Sequence, residues 1–168
     1  MKVILYMAMT ANGLIAKKDD DTSWISKEEW DSYSAFIKKT GNCVVGRRTY
    51  HILTNQPEFS ELKNISLIVL STENFETKAS NHIIANSPKE ALEKLADFSE
   101  VVVAGGGITN AAFLSENLVD EIVLDVEPVM FSKGLPLAYG KDFDKKLKLL
   151  KTKPVGESGI QLHYEVVK

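Results

Sequence analysis

Val101-Val102-Val103-Ala104-Gly105-Gly106-Gly107-Ile108-Thr109 is the stretch on which the fold turns. Its apolar start, Glu100 to Ala104, suits a strand buried on both faces, and the three glycines hand the chain to a helix predicted over 108–117. A strand that exits into a helix is the joint of an α/β unit. It is also a place for a phosphate. Without side chains the backbone approaches closely, and the free N–H groups of the helix start point at the anion. The competing reading is a tight strand–helix turn that binds nothing; three glycines are more than such a turn usually needs, which favours the phosphate. The spacing is not G-x-G-x-x-G, so that dinucleotide motif is absent.

The same joint recurs along the chain. Val3 to Met9 is a continuous apolar run and reads as a buried strand rather than a signal peptide. Thr10 to Ile25 follows as a polar loop, with Asn12-Gly13 as a turn and Asp19, Asp20 and Asp21 as an acidic patch. Ser26-Lys27-Glu28-Glu29 has the form of a capping box and opens a helix. Trp30, Tyr33 and Ile37 share one of its faces, and Gly41 ends it. Asn42 to Val45 is a strand leading to a helix start at Gly46-Arg47-Arg48-Thr49-Tyr50. Ile65 to Leu70 is a strand closed by Ser71-Thr72, and His82 to Ala85 is another. Ser87-Pro88 starts a helix with proline in its first position. Glu121 to Glu127 is a strand, and Lys148 to Lys153 with Ile160 to Val167 make a terminal antiparallel pair around Pro154, Gly156 and Gly159. The prediction is an α/β fold with a mostly parallel sheet and a C-terminal antiparallel hairpin, in one domain over residues 1–168. Ligands of such sheets bind outside the carboxyl ends of the strands.

Composition narrows the function. The 168 residues are 44% hydrophobic and 26% charged, and the net charge of −3 gives no footprint for nucleic acid. No apolar run approaches the ~20 residues of a membrane span. One cysteine, Cys43, excludes an intrachain disulfide and fits a reducing, cytoplasmic setting; its apolar neighbours predict a buried, inert thiol. His51, His82 and His163 are scattered, with no zinc spacing, so no metal is expected.

The chemistry-bearing residues gather at the predicted strand exits. Arg47 and Arg48 stand where a helix dipole is already positive, which an anion in the site would explain; two solvated surface arginines are the alternative. Ser71 and Thr72 offer hydroxyls at a third exit, a position where such residues also serve as plain turn formers. Trp24 precedes the first helix in either a core or a ligand role. Glu28, Glu29 and Asp31 are the acids nearest to it and the candidates for a catalytic acid; otherwise Glu29 is the capping-box partner, and Glu28 and Asp31 favour the helix start. Asp125 lies midway along an apolar strand, where a carboxylate needs a partner, such as a lysine or a backbone group, or a function.

Taken in order, these segments resemble the dihydrofolate reductase superfamily over essentially the whole chain. Met7-Ala8 with Asn12-Gly13-Leu14-Ile15-Ala16 is similar to its first strand and mobile loop, and Trp24 follows at about the family's spacing. Gly46-Arg47-Arg48-Thr49-Tyr50, Leu70-Ser71-Thr72 and Ala104-Gly105-Gly106-Gly107 match in sequence order. Asn117 to Ile122 and Val126 to Leu137 resemble the reductase half of the bifunctional riboflavin-biosynthesis deaminase–reductase and its stand-alone relatives. The resemblance implies a three-layer fold with helices on both faces of the sheet, and NADPH as hydride donor. Ala8 and Ile15 would hold the nicotinamide by their backbones. Gly46, Arg47, Arg48 and Thr49 would line the phosphates, Leu70, Ser71 and Thr72 the 2′-phosphate, and Gly105, Gly106, Gly107, Ile108 and Thr109 the pyrophosphate turn, with a cis bond at Gly105–Gly106. Asp125, Glu29, Tyr33 and Trp24 are its catalytic candidates. Counting from Trp24 puts the family's first-helix acid at Glu29, and counting back from Gly46 puts it near Tyr33. Lys17, Lys18 and Lys133 are candidates for a substrate phosphate. The implied reaction is hydride transfer to a pyrimidine- or pteridine-like compound, with a homodimer as the stand-alone relatives' habit. A dihydrofolate reductase proper and a non-catalytic NADPH-binding protein are the alternatives.

Overall fold

Ile4 and Tyr6 of the first strand pack on one side of the sheet, Val3 and Leu5 on the other, and both sides are covered. The computed structural model describes residues 1–168. Strands β1 (Lys2–Thr10), β3 (Asn42–Gly46), β4 (Ser66–Leu70), β5 (His82–Ala85), β6 (Glu100–Val103) and β7 (Glu121–Glu127) join β9 (Lys146–Val155) and β10 (Gly159–Val167) in one sheet. Its eight strands run in the order β5-β4-β3-β6-β1-β7-β10-β9. The first five pairings are parallel, and β10 pairs antiparallel with both β7 and β9. The α/β architecture with its terminal hairpin is therefore as the sequence predicts.

The alternation of side chains sorts the helices into two layers. Helix α1 (Lys27–Thr40), helix α2 (Arg47–Leu53) and a 3-10 turn at Pro57–Leu62 cover the side reached by Ile4, Tyr6, Val45 and Val123. Helix α3 (Pro88–Glu93) and helix α4 (Gly107–Ser115) cover the side reached by Leu5, Val44, Val103 and Leu124. Helix α1 starts at Ser26, whose Oγ accepts the Glu29 N–H at 3.1 Å. It ends at Gly41, where φ of 74° satisfies a left-handed cap that other residues rarely adopt.

Three local readings need correction. The polar loop of Thr10 to Ile25 contains strand β2 (Leu14–Lys17), which pairs antiparallel with β8 (Gly134–Pro136). Segments of four and three residues are too short for periodicity to show, and their pairing joins positions more than a hundred apart. Gly134 makes the approach possible: a Cβ there would meet the Ala16 carbonyl oxygen at 2.3 Å. Pro154 and Gly159 belong to β9 and β10 rather than to the turn, and α4 runs from Gly107 to Ser115 rather than 108 to 117. Proline is tolerated there because β9 is the edge strand.

The two cores differ from the edge in what a truncation costs. Phe113 is fully buried against β-strand side chains, whereas Leu149 on β9 is 53% exposed. Phe113→Ala is expected to lower unfolding stability by about 3–5 kcal/mol and Leu149→Ala by no more than about 0.5 kcal/mol, read as shifts of the urea midpoint.

Candidate active site

The parallel strands end on one side of the molecule, and a cleft of about 1150 Å³ opens over those ends. It is lined by Ala8 and Ile15, by Gly46 to Thr49, by Leu70 to Thr72, by Gly106 to Thr109, and by Glu29 and Tyr33 of α1. Segments far apart in sequence thus meet in one place. Gly105, Asp125 and Trp24 are not on its wall. Trp24 instead sets its ring edge-on to Phe131, with centroids 5.9 Å apart.

The β3 and β6 exits are joined by backbone. Gly46 N–H donates to the Gly105 carbonyl at 2.7 Å, and Gly105–Gly106 is a cis peptide, as the resemblance implies. The glycines here have packing reasons that spacing did not reveal. Gly105 has φ of 92° and Met7 Sδ 2.7 Å from where a Cβ would be. A Cβ on Gly107 would collide with the Tyr139 ring at 2.5 Å, and one on Gly46 with Thr109 Oγ1 at 2.5 Å. The turn therefore needs its glycines for geometry, contrary to the sequence argument that they exceeded it. Gly106 faces the cleft with the most room of the three, its Cβ position a tight 3.1 Å from Thr49 Oγ1 and 3.9 Å from Ile15 Cδ1. Gly106 is also the cap of α4 and provides no side-chain cap, so the first N–H groups of that helix remain for a ligand.

The two arginines are not free. Arg47 is ion-paired with Glu73, and Arg48 with Asp20 at 2.7 Å. Ser71 Oγ accepts the Glu73 N–H at 3.1 Å and donates to the Glu73 carbonyl at 2.7 Å, so the loop after β4 presents Glu73 to Arg47. Carboxylates of the chain itself thus occupy the cations of this end of the cleft. Cys43 is buried, and burial pushes its thiol pKa up, which keeps it an inert thiol.

On the α1 side the structure gathers acids. Glu29, Tyr33 and Ile37 are spaced i, i+4 and i+8 on one buried stripe of the helix, which puts the two sequence-derived positions of the first-helix acid on one face of one cleft. Glu29 is only 2% exposed, and its Oε1 has no hydrogen-bond partner in the protein. The capping box is half made: the Ser26 N–H goes to Glu127 Oε1 at 3.2 Å, as does the Ser26 hydroxyl at 2.6 Å, rather than to Glu29. Asp125 and Glu127 point to the same side from β7. Asp125 hydrogen-bonds neither lysine nor backbone, although the charge of Lys153 is near enough to favour its ionised form. Tyr6 Oη donates to its Oδ2 at 2.6 Å and Gln161 Nε2 to its Oδ1 at 2.7 Å.

Burial, with the charges of Asp125 and Glu127 behind it, pushes the Glu29 pKa up to about 8. Burial also raises that of Asp125, against the hydrogen bonds from Tyr6 and Gln161. Burial and the adjacent Asp125 lift Tyr6, and burial lifts Tyr33. Glu29 is accordingly a protonated carboxylic acid at neutral pH on the wall of the cleft. Glu127, Gln161 and Glu73 escaped the sequence reading. The spacing from Glu29 to Tyr33 to Ile37 was a signal for the buried acid; Gln161 carried none.

The fold is of the dihydrofolate-reductase-like type. The sequence model of the RibD C-terminal domain matches residues 1–161, and the chain belongs to that family. It is 30% identical to the uncharacterized protein YwjB of Bacillus subtilis (strain 168), over 97% of either chain. Among solved structures it is similar to a putative riboflavin biosynthesis protein from Shewanella sp. PV-4, with a TM-score of 0.81, 21% identity and 100% of both chains covered. It is also similar to the diaminohydroxyphosphoribosylaminopyrimidine deaminase/5-amino-6-(5-phosphoribosylamino)uracil reductase of Thermotoga maritima, with a TM-score of 0.76 and 19% identity, over 99% of this chain and 56% of that one. No helix is long and apolar enough to cross a membrane.

The buried acid has a measurable consequence. Between its usual value near 4.5 and about 8, Glu29 holds a proton in the folded protein that the unfolded chain has released. Folding stability contributed by this group is therefore lost as pH rises, by about 1.4 kcal/mol per pH unit inside that window. Glu29→Gln is expected to flatten the fall and to be the more stable protein at pH 8, as measured by urea unfolding between pH 5 and 8.

Proposed function

We propose that this protein is an NADPH-dependent oxidoreductase that delivers a hydride to a pyrimidine- or pteridine-like substrate, most like the reductase reaction in the Thermotoga protein's name. The observation that carries this reading is a buried glutamic acid, Glu29, with an unpartnered carboxyl oxygen, on the wall of a cleft whose other end is built from strand exits, arginines and an uncapped helix start.

The residues fit such a cofactor. Gly106 opens the wall where Thr49 and Ile15 meet it, and the start of α4 offers N–H groups to a pyrophosphate. Arg47 and Arg48, now paired with Glu73 and Asp20, would hold phosphate oxygens, which accept bidentate pairing at least as well as a carboxylate. Ser71 and Thr72 stand at the next exit for the 2′-phosphate, and the backbones of Ala8 and Ile15 orient the ring that reacts.

NADPH supplies a hydride when bound. The chain supplies the rest. Trp30 and Tyr33, with ring centroids 5.5 Å apart, hold the substrate's plane and keep water from the reacting carbon. Glu29 donates the proton that the substrate needs as the hydride's electron pair arrives, so one proton and one hydride reduce one double bond. Asp125 and Glu127 keep that proton on Glu29 by their charge, and bulk water restores it after turnover. We also place the protein in the cytoplasm as a homodimer, the arrangement that the resemblance implies.

Titration with NADPH and NADH, followed by tryptophan fluorescence and thermal shift, tests the reading. NADPH is expected to bind the more tightly, and Arg47→Ala to weaken it by about tenfold to a hundredfold. Glu29→Gln is expected to keep NADPH affinity and to lower kcat by about a hundredfold or more, while the wild-type rate falls as pH rises through about 8. Failure of either nucleotide to bind at millimolar concentration would sink the proposal.

A further inference from the structure

The wall between α1 and α2 carries Glu29, Trp30, Tyr33, Ile52, Leu53 and Glu58. Aromatic and aliphatic side chains of this kind suit a flat heterocycle. Two carboxyl groups and no free cation do not suit an anion. The cations on the whole cleft wall are Lys27, Arg47, Arg48 and Lys141. Arg47 and Arg48 stand at the start of α2, paired with Glu73 and Asp20, where the reading above places cofactor phosphates. Lys27 turns away: its Nζ lies 2.6 Å from Asp31 and its side chain is 80% exposed. Lys141 joins the wall on the opposite side of the sheet, with Ile108, Glu116 and Tyr139 beside α4.

The lysines that the sequence suggested for a substrate phosphate do not supply one. Lys17 is held by Asp21 at 2.6 Å, and neither it nor Lys18 nor Lys133 lines the cleft. Behind the α1 wall stand Asp125 and Glu127, hydrogen-bonded to Tyr6, Gln161 and Ser26 and to no cation. A phosphate monoester, with nearly two negative charges at neutral pH, would enter this half of the cleft toward Glu58, Asp125 and Glu127; the lysine near them, Lys153, does not line the cleft and its charge already acts on Asp125.

We propose that the substrate held between α1 and α2 is a pyrimidine- or pteridine-type heterocycle that carries neither a phosphate nor a carboxylate. This rests on the reductase reading above and departs from the phosphoribosyl compound in the Thermotoga protein's name. A dephosphorylating reaction, or a route without a phosphate ester, must then supply the substrate.

The test is a pair of matched ligands. Purified protein, with and without saturating NADPH, is titrated calorimetrically with 5-amino-6-(ribosylamino)uracil and its 5′-phosphate, and with a dihydropterin lacking any acidic tail and dihydrofolate. In at least one pair the compound without the anionic group is expected to bind tighter by about tenfold or more. Glu58→Lys, at the exposed mouth of this wall, is expected to narrow that preference by about tenfold through the anionic member alone. Equal or tighter binding of the anionic members, binding of none of the four, or a preference that Glu58→Lys does not move would each overturn the proposal. NADPH affinity, measured in the same samples, decides the reductase reading separately.

Discussion

The hydrogen bond from the Gly46 N–H to the Gly105 carbonyl, 2.7 Å long, holds the ends of β3 and β6 together where parallel strands would otherwise part. The rest of the cofactor end depends on that approach. It brings the start of α2 beside the start of α4, and with them Arg47, Arg48 and Thr49 beside Gly106. It leaves no room for side chains: Thr109 closes on Gly46, Met7 on Gly105 and Tyr139 on Gly107. Two helix starts without side-chain caps then face one cleft, and Glu73 and Asp20 neutralise the arginines beside them.

The other half of the cleft rests on an opposite arrangement, acids buried without an ion pair. Glu29, Asp125 and Glu127 converge between α1 and the sheet, and the groups that hold Asp125 and Glu127 are hydroxyls and an amide. A carboxylate in such a place costs several kcal/mol unless paired. The least costly state keeps one proton among the three. Hydrogen bonds are already spent on Asp125 and Glu127, so the proton rests on Glu29, whose Oε1 has no partner. Polar groups that stabilise the fold at two acids therefore set the chemistry of the third. The same charges exclude anionic substrates from this wall while the arginines invite an anion a few residues away, so the cleft is electrically divided along its length.

Much of the frame was legible. Apolar runs marked β1, β4, β6 and β7, and Ser26, Gly41 and Ser87-Pro88 marked helix ends by groups whose local hydrogen bonds or φ values do the work. The strands β2 and β8 were not legible, because each is too short for a period and takes its stability from the other. The glycine turn was recognised, but its physical reason was not: the need for Gly107 lies in Tyr139, thirty-two positions on. At Glu29 the capping-box pattern was present and only half realised, since Glu127 from β7 took the Ser26 N–H.

The sequence by itself determined the alternation of strands and helices, the strand exits that carry arginines, hydroxyls and glycines, and the presence of an out-of-place carboxylate at Asp125. These are local properties: periodicity, caps and turn residues act over a few positions along the chain. Tertiary structure alone decided which acid carries the proton, which carboxylates hold Arg47 and Arg48, and that no unpaired lysine lines the substrate wall. Each of those outcomes depends on distance and burial among residues such as Tyr6, Asp125 and Gln161, up to 155 positions apart. Charge and desolvation act through space, and only the folded chain sets the spaces.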